Sequence, residues 1–288
     1  MRQTIVHRHT AVVLFLLAAL AACKTEQKAQ PAAPAAPAPT PMANAFTVHA
    51  KDFSFSAPDT VPAGLTNITL VNDGPSVHHV QLIKLDSGKT AADFGAAMKA
   101  NKGWPMWAAF ASGPNAAMPG GSSMATVDLA AGNYLMICLV DVPDRIPHFM
   151  KGMTKTLTVT PNSAPQATMP KADVQVNTAE YTFALSDTVR SGTRVFEVHL
   201  VGAQPHEVVL FKLAPGKTAK DFGAWGATYK GPPPGELMGG AAVAPPGATV
   251  QFTANVTPGN YLMVCFVPDA KDQKPHIEHG MITTFTVN

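Results

Sequence analysis

The chain has 288 residues and a nearly balanced charge, with 21 Lys and Arg residues against 19 Asp and Glu residues. Two of the basic residues, Arg2 and Arg8, lie in a segment that we expect to be removed, which leaves 19 against 19. Such a balance provides no basic face for neutralising phosphates, so it argues against nucleic acid as a partner. The length by itself suggests about two domains.

Residues 1–22 have the pattern of a secretory signal peptide. A short basic start precedes an apolar core at residues 11–20, which is too short to span a membrane. The core runs into Leu20-Ala21-Ala22-Cys23, which resembles the lipobox of bacterial lipoproteins. The resemblance implies that Cys23 becomes the lipidated first residue of the mature protein. The alternative is an ordinary cleavage site beside an incidental cysteine.

The residues after Cys23 predict where the protein is anchored and how it is tethered. Lys24 stands where the resemblance would place Asp in an inner-membrane lipoprotein, which favours the outer membrane over the inner membrane. The lipoprotein signal as a whole implies a lipid-anchored protein of the cell envelope, at the outer membrane or periplasmic face rather than in the cytoplasm. Residues 23–45 form the predicted linker, and from residue 29 onward they are almost all Ala, Pro or polar. Such a segment cannot bury enough apolar surface to fold, and its prolines favour an extended spacer.

The remainder of the chain contains one pattern twice, at an offset of about 128 residues. The matching segments are 78–85 with 206–213, 88–95 with 216–223, and 132–134 with 259–261. This is an internal duplication. It predicts two domains, residues 46–161 and residues 170–288.

Each copy is predicted to consist mostly of strands. Short runs rich in Val, Ile, Leu, Thr and Phe are separated by Gly, Pro, Asn and Asp at the intervals typical of a β-sandwich. One helix interrupts the strands of each copy, because Thr90-x-x-Asp93 and Thr218-x-x-Asp221 resemble capping boxes and lead into Ala-rich segments. The sequence therefore predicts an all-β chain with two tandem sandwiches and a short helical insertion in each.

A thiolate, an imidazole and a thioether recur near the end of each copy. They are Cys138, His148 and Met153 in the first copy and Cys265, His276 and Met281 in the second. Sulfur and nitrogen ligands of this kind suit copper better than magnesium, calcium or manganese. A pair of cysteines in an exported chain would ordinarily suggest a disulfide. Because each cysteine has the same place in its own copy, we expect two separate sites.

Three motifs in each copy resemble the cupredoxin, or blue-copper, family. They are an upstream His followed by a polar residue and an apolar strand, a Gly-x-Tyr strand that ends in Cys, and the sequence His-x-x-x-Gly-Met. Together they span nearly all of the chain after the linker. The resemblance implies Greek-key β-sandwiches with one copper ion in each. It implies the ligands His78, Cys138, His148 and Met153 in the first copy and His206, Cys265, His276 and Met281 in the second.

A thiolate and two imidazoles with a weak axial Met suit both oxidation states of copper, so the resemblance implies a one-electron carrier. We expect His148 and His276, which lie in loops, to expose one ring edge to solvent as an exit for electrons. The chain departs from the family in the loop between Cys and the second His. This loop has nine residues in the first copy, 139–147, and ten in the second, 266–275, which is longer than usual.

Two further functions stay open on the residues alone. One is copper binding or delivery without redox turnover, and the other is a metal-free interaction module of the same fold. A multicopper oxidase would need His-x-His pairs and a His beside each Cys, and neither copy contains them. We therefore predict that the protein is not an enzyme. Its predicted partners are copper ions, an envelope redox partner protein, and the membrane through the lipid on Cys23.

Overall fold

The structure, a computed structural model, describes residues 42–100, 103–140, 144–228 and 231–288. The predicted signal peptide, the lipidated Cys23 and nearly all of the predicted linker lie outside the described residues. The described residues belong to one compact unit that contains both copies. Within it, neither helix has the length and hydropathy needed to cross a membrane.

Strands dominate the described chain in both copies. The first copy contains β1 (Asn44–Lys51), β2 (Ser54–Ser56), β3 (Thr60–Pro62), β4 (Gly64–Asn72), β5 (Gln81–Leu85), α1 (Ala91–Lys99), β6 (Ala108–Phe110), β7 (Ser122–Leu129), β8 (Gly132–Ile137) and β9 (Thr154–Thr160). The second contains β10 (Val174–Ala179), β11 (Thr182–Leu185), β12 (Gly192–Leu200), β13 (His206–Leu213), α2 (Ala219–Gly226), β14 (Gly235–Ala244), β15 (Thr249–Val256), β16 (Gly259–Val264) and β17 (Ile282–Val287). The predicted fold class, mostly β with a short helical insertion in each copy, is confirmed.

Three sheets form the two sandwiches. The first copy has its own sheet in the order β3-β9-β8-β5-β6, and the second has its own in the order β14-β13-β16-β17. The opposite layers of both sandwiches belong to one eight-stranded sheet in the order β11-β10-β12-β15-β7-β4-β1-β2. This sheet is continuous because β15 pairs with β7, with Phe252 opposite Ala125. The two copies therefore share a layer.

The alternation of side chains along the strands explains how the sheets pack. In β1, Phe46, Val48 and Ala50 are buried and their neighbours in the strand are more exposed, as expected for a strand with one face on a core. The largest cluster of buried residues runs through both copies. It includes Cys138 and Cys265, so both predicted sulfur sites lie inside the packed core.

Both helices begin with the predicted capping boxes. The Thr90 side chain accepts a hydrogen bond from the Asp93 N–H, and the Asp93 side chain accepts one from the Thr90 N–H. Thr218 and Asp221 make the same pair of bonds at the start of α2. Phe94, which follows the cap in α1, is only 1% exposed and packs against the outer face of the first copy's own sheet. The helices therefore lie on the sandwiches rather than within the core.

Candidate metal centres

The two predicted cysteine ligands follow directly after buried apolar strands. β8 ends at Ile137 and β16 ends at Val264, so Cys138 and Cys265 are the next residues of the chain. Both are free, fully buried thiols. Because each strand is held between neighbours in its sheet, the fold fixes the position of each sulfur.

The His-x-x-x-Gly-Met motif forms a 3₁₀ turn in both copies, at His148–Lys151 and at His276–His279. In the first copy Gly152 ends the turn with a φ of 102°, a conformation that favours glycine. The chain reverses there, and the Met153 N–H donates to the His148 carbonyl at 3.1 Å. The same bond in the second copy, from the Met281 N–H, is 3.0 Å long. The glycine of the motif is thus required by the backbone geometry that brings Met beside His.

Three of the four predicted ligands in the first copy converge. The Cys138 Sγ atom is 3.6 Å from His148 Nδ1 and 4.0 Å from His78 Nδ1. The two imidazole nitrogens are 3.2 Å apart. All three side chains are buried.

The second copy repeats this geometry. The Cys265 Sγ atom is 3.5 Å from His276 Nδ1 and 3.9 Å from His206 Nδ1, and the two nitrogens are 3.1 Å apart. Corresponding distances in the two copies differ by 0.1 Å. Met153 and Met281 are also fully buried. Their role as axial ligands stays a prediction.

The long loops between Cys and the second His are closed by backbone hydrogen bonds near their ends. The Phe149 N–H donates to the Cys138 carbonyl at 2.9 Å, and the Ile277 N–H donates to the Cys265 carbonyl at the same distance. Each bond joins the residue after the second His to the Cys. The additional loop residues therefore do not separate the donor atoms.

The expectation that one ring edge of each second His reaches solvent is wrong. His148 is 1% exposed and His276 is 0% exposed. Phe53 lies edge-on to His148, with the ring centroids 5.5 Å apart, and Tyr181 has the same relation to His276. The sequence indicated a loop at these positions, but the 3₁₀ turn directs both imidazoles inward beneath an aromatic ring.

A carboxylate faces the upstream His of each copy. Asp52 Oδ1 lies 2.9 Å from His78 Nε2, and Glu180 Oε1 lies 3.9 Å from His206 Nε2. Asp52, which is within hydrogen-bonding distance, favours the proton on His78 Nε2 and so leaves the Nδ1 lone pair free to bind a metal. The sequence analysis missed both acids. The signal was available, because both precede the aromatic residue that covers the site and are related by the same offset of about 128 residues.

Two glycines make room for these carboxylate contacts. A Cβ atom at Gly74 would lie 2.9 Å from His78 Nε2 and 3.0 Å from Asp52 Oδ1. A Cβ atom at Gly202 would lie 2.8 Å from the Glu180 carboxylate. Any other residue at these positions would press on the contact between carboxylate and imidazole. Their recurrence in both copies is a second signal that sequence reasoning could have used.

The second His of the second copy also faces an acid. Asp269 is 1% exposed, and its Oδ2 lies 3.9 Å from His276 Nε2. The Tyr181 hydroxyl and the Gln204 side-chain amide donate to the same oxygen at 2.6 and 2.8 Å. These hydrogen bonds hold the pKa of Asp269 well below its usual range, although burial alone would raise it. A carboxylate therefore stands beside this imidazole.

Burial determines the charge of the ligands when no metal is bound. It raises the pKa of the Cys138 and Cys265 thiols to about 12, so both are protonated at neutral pH. It lowers the pKa of His206 to about 4, and it also lowers the pKa of His78. The imidazoles are therefore neutral at pH 7, and their Nδ1 atoms, 3.1 to 3.2 Å apart, are close enough for both to bind one cation.

The donor set fits a copper ion. A metal about 2.0 to 2.1 Å from nitrogen and about 2.3 Å from sulfur, in a trigonal plane, requires roughly 3.5 Å between nitrogens and roughly 3.8 Å from nitrogen to sulfur. The observed distances are 3.1 to 3.2 Å between the two Nδ1 atoms and 3.5 to 4.0 Å from Nδ1 to the cysteine Sγ. One cysteine and two histidines are the equatorial ligands typical of a blue-copper site.

The residue after each upstream His stabilises the cysteine end of the site. The Leu139 N–H donates to His79 Nε2 at 2.7 Å, and the Phe266 N–H donates to Glu207 Oε1 at 3.1 Å. The backbone N–H groups of His79 and Glu207 act to lower the pKa of the Cys138 and Cys265 thiols, against the larger effect of burial. Burial lowers the pKa of His79 to about 4 and raises the pKa of Glu207. The sequence analysis assigned no role to either side chain.

No protein-family model matches the chain, and no curated protein sequence matches it. Solved structures are similar at low identity. Reduced auracyanin from the photosynthetic bacterium Roseiflexus castenholzii is 22% identical over 41% of this chain and 98% of that chain, with a TM-score of 0.30. The Cu-containing nitrite reductase from Thermus scotoductus SA-01 is 12% identical over 86% and 62%, with a TM-score of 0.26. The blue copper oxidase from Nitrosomonas europaea is 14% identical over 85% and 86%, with a TM-score of 0.26.

The prediction that the protein is not an enzyme is wrong, because two of these three similar structures are enzymes. The prediction depended on the absence of His-x-His pairs, and a fold can assemble ligands that no short motif reveals. The sequence therefore does not exclude enzymatic activity.

Proposed function

We propose that the protein binds one copper ion in each copy and acts as a one-electron carrier. The observation that carries this proposal is the recurrence of a buried Cys/His/His set whose internal distances agree to 0.1 Å between copies. Copper in such a set supplies a couple between its two oxidation states. Met153 and Met281 complete the proposed ligand sets as weak axial donors.

The remaining residues of each site have supporting roles in this proposal. Asp52 orients the His78 ring and favours its proton on Nε2, so that Nδ1 is free to bind. Phe53 and Tyr181 cover the second imidazoles and exclude water from the donors. A buried, hydrogen-bonded site changes shape little when its charge changes, which is what rapid electron transfer requires.

Metal content and visible absorption of the purified protein test this function. We expect about two copper ions per chain and strong visible absorption from a thiolate-to-copper transition, as for a blue-copper site. Cys138→Ser and Cys265→Ser should each remove about half of the copper, and the double variant nearly all of it, because thiolate is the strongest ligand in each set. His49→Ala is the matched control, since this His pairs with Asp73 at the surface.

The outcomes separate the functions left open by the sequence. Copper binding with a colourless, redox-inactive protein would favour copper binding or delivery without redox turnover. The absence of copper uptake would favour a metal-free interaction module. No more than one copper per chain under saturating copper, or full loss from a single Cys substitution, would refute two separate sites.

We propose further that the protein is anchored to the cell envelope by lipid on Cys23, where an envelope redox protein is its partner. The basic start, apolar core and Leu-Ala-Ala-Cys sequence of residues 1–23 support this assignment as one processing signal. Cys23→Ala should abolish metabolic labelling with a fatty acid and release the protein from membranes. Unchanged labelling or membrane association would contradict the proposal.

A further inference from the structure

A two-residue hairpin turn holds an aromatic ring over the second His of each centre. Phe53 lies in the turn between β1 and β2, edge-on to His148 with the ring centroids 5.5 Å apart. Tyr181 lies in the turn between β10 and β11 and is edge-on to His276 at the same distance. Phe53 is 41% exposed and His148 is 1% exposed, so the aromatic ring lies on the solvent side of the imidazole. Each of these two rings is therefore the cover of its centre.

The backbone of both covering residues has a conformation that is unfavourable for an aromatic residue. The φ angle of Phe53 and of Tyr181 is 62°, in the left-handed region. Two-residue hairpin turns with positive φ favour Gly or Asn at such a position. Backbone preference therefore does not explain an aromatic residue here in both copies, whereas the contact of the side chain with the His ligand does.

The cover of the second centre is fastened by hydrogen bonds. The Tyr181 hydroxyl donates to Asp269 Oδ2 at 2.6 Å, and the Gln204 side-chain amide donates to the same oxygen at 2.8 Å. The Gln204 Oε1 atom accepts from the Ala270 N–H at 2.8 Å. Asp269 is 1% exposed and lies in the loop of residues 266–275, which connects the Cys and the second His of this centre. Tyr181, Gln204 and Asp269 therefore form a latch between the cover and this loop.

The first copy has different side chains at two of the equivalent positions. Phe53 stands in place of Tyr181, and its ring has no hydroxyl to donate. Ser76 stands in place of Gln204, and its hydroxyl donates to the carboxylate of the hairpin turn at 3.0 Å. The Lys151 ammonium group lies 5.3 Å from the centroid of the Phe53 ring. Such a cation–π contact at an exposed ring is weaker than a hydrogen bond to a carboxylate.

We infer that the two centres differ in access. The Phe53 cover opens readily, so the first centre exchanges copper with soft ligands such as thiolates, whereas the latch keeps the second cover closed and its copper in place. This inference rests on the proposed function in taking copper as the metal. Copper(I) passes to the acceptor without a change of oxidation state, and the cysteine sulfur that it leaves takes up a proton.

Reaction of the two thiols with iodoacetamide in the metal-free protein measures the opening of the covers. Cys138 and Cys265 are both 0% exposed, and burial raises the pKa of each thiol to about 12, so neither exposure nor acidity favours one of them. We expect Cys138 to react about tenfold faster, because the opening of the second cover must also break a hydrogen bond to a carboxylate. Mass spectrometry of the two peptides gives each rate separately. Equal rates would overturn the inference.

Tyr181→Phe tests the latch by giving the second cover the ring of the first. It should raise the reaction rate of Cys265 about tenfold and leave that of Cys138 unchanged. Tyr261→Phe is the matched control, because it removes a hydroxyl of the same copy that donates to the Thr257 carbonyl at 2.9 Å, outside the latch. Equal effects of the two substitutions on Cys265 would overturn the role of the latch.

Phe53→Gly removes the first cover. A positive φ favours glycine, so the turn itself can keep its conformation. Cys138 should react about tenfold faster or more, because no ring then has to move aside before the reagent enters. The rate at Cys265 should stay the same. An unchanged rate at Cys138 would show that the Phe53 ring does not control access to the first centre.

Transfer of copper(I) to an excess of a chromophoric chelator tests the consequence for the loaded protein. The Cys265→Ser background reports the first centre, and the Cys138→Ser background reports the second. Release from the first centre should be about tenfold faster, and Tyr181→Phe should remove most of this difference. If the unaltered protein binds no copper, the proposed function fails while the thiol reaction still decides access. If copper binds and both centres release it at the same rate, the inference about access fails alone.

Discussion

The contact between Asp52 and His78 predicts an unequal response of the two centres to equivalent substitutions. Asp52→Asn keeps the shape of the side chain and can still accept a hydrogen bond, but it removes the charge. Hydrogen bonds to charged groups contribute about 1.5 to 3 kcal/mol and neutral ones about 0.5 to 1.5 kcal/mol. The difference of about 1 to 1.5 kcal/mol corresponds to a roughly 5- to 12-fold loss of copper affinity at the first centre.

The second centre should respond less to Glu180→Gln. The Glu180 Oε1 atom is 3.9 Å from His206 Nε2, whereas the corresponding distance in the first copy is 2.9 Å. Atoms 3.9 Å apart do not form a hydrogen bond, so we expect a loss below about threefold. The inequality comes from geometry that the sequence does not contain, since both copies have an acid at this position.

The assay is a competition titration against a chromophoric copper chelator, with one centre silenced by a Cys→Ser substitution. Asp52→Asn is measured in the Cys265→Ser background, and Glu180→Gln in the Cys138→Ser background. Asp73→Asn is the matched control, because Asp73 also faces a histidine at 2.8 Å, but that histidine is exposed and outside the site. An Asp52→Asn affinity equal to that of Asp73→Asn, or a larger loss from Glu180→Gln, would refute the role given to these carboxylates.

Three further predictions follow from the same sites. Met153→Leu should retain copper and lower the free energy of unfolding by less than about 1.5 kcal/mol. It should shift the reduction potential of the copper in a potentiometric titration. Loss of the metal would contradict a weak axial role for Met153. Copper(I) added at pH 7 should release about one proton per site. Burial raises the pKa of the Cys138 thiol to about 12, so the thiol must lose its proton to bind, whereas burial lowers the pKa of His148, which is already neutral. In a pH-indicator titration Cys138→Ser should lower the release by about half, and an unchanged release would show that the proton comes from another group. Burial lowers the pKa of His79 to about 4, below its ordinary value of 6.5. The unfolded state therefore takes up a proton first as the pH falls, and the free energy of unfolding should decrease by about 1.4 kcal/mol per pH unit from pH 6.5 toward pH 4. His79→Gln should reduce this pH dependence in denaturant unfolding of the metal-free protein; the same pH dependence in variant and unaltered protein would contradict the prediction.

Several features of the protein could be read from short stretches of sequence because their causes are local. The capping boxes at Thr90 and Thr218 depend on residues three positions apart, and both form as predicted. Strand alternation follows from the two-residue period of a pleated chain. His78, Cys138 and His148 were named as ligands from the resemblance to cupredoxins together with the duplication, and the structure places their donor atoms within 4.8 Å of one another.

The sequence did not predict the features that depend on contacts between distant residues. The burial of His148 depends on Phe53, which is far away in the chain. The distances to the carboxylates of Asp52 and Glu180 depend on how separate strands and loops pack, so two similar sequences give 2.9 and 3.9 Å. These distances depend on how all the surrounding residues pack, and many of those residues are far apart in the chain, so a short sequence pattern cannot predict them.

The relation between the two copies was decided by tertiary structure alone. The duplication predicted two sandwiches, but the pairing of β15 with β7 joins them into one eight-stranded sheet. Asn115 of the first copy donates a hydrogen bond to the Glu207 carboxylate of the second copy at 2.9 Å. This contact could not be recognised from the sequence, because Asn115 is not part of the repeated pattern.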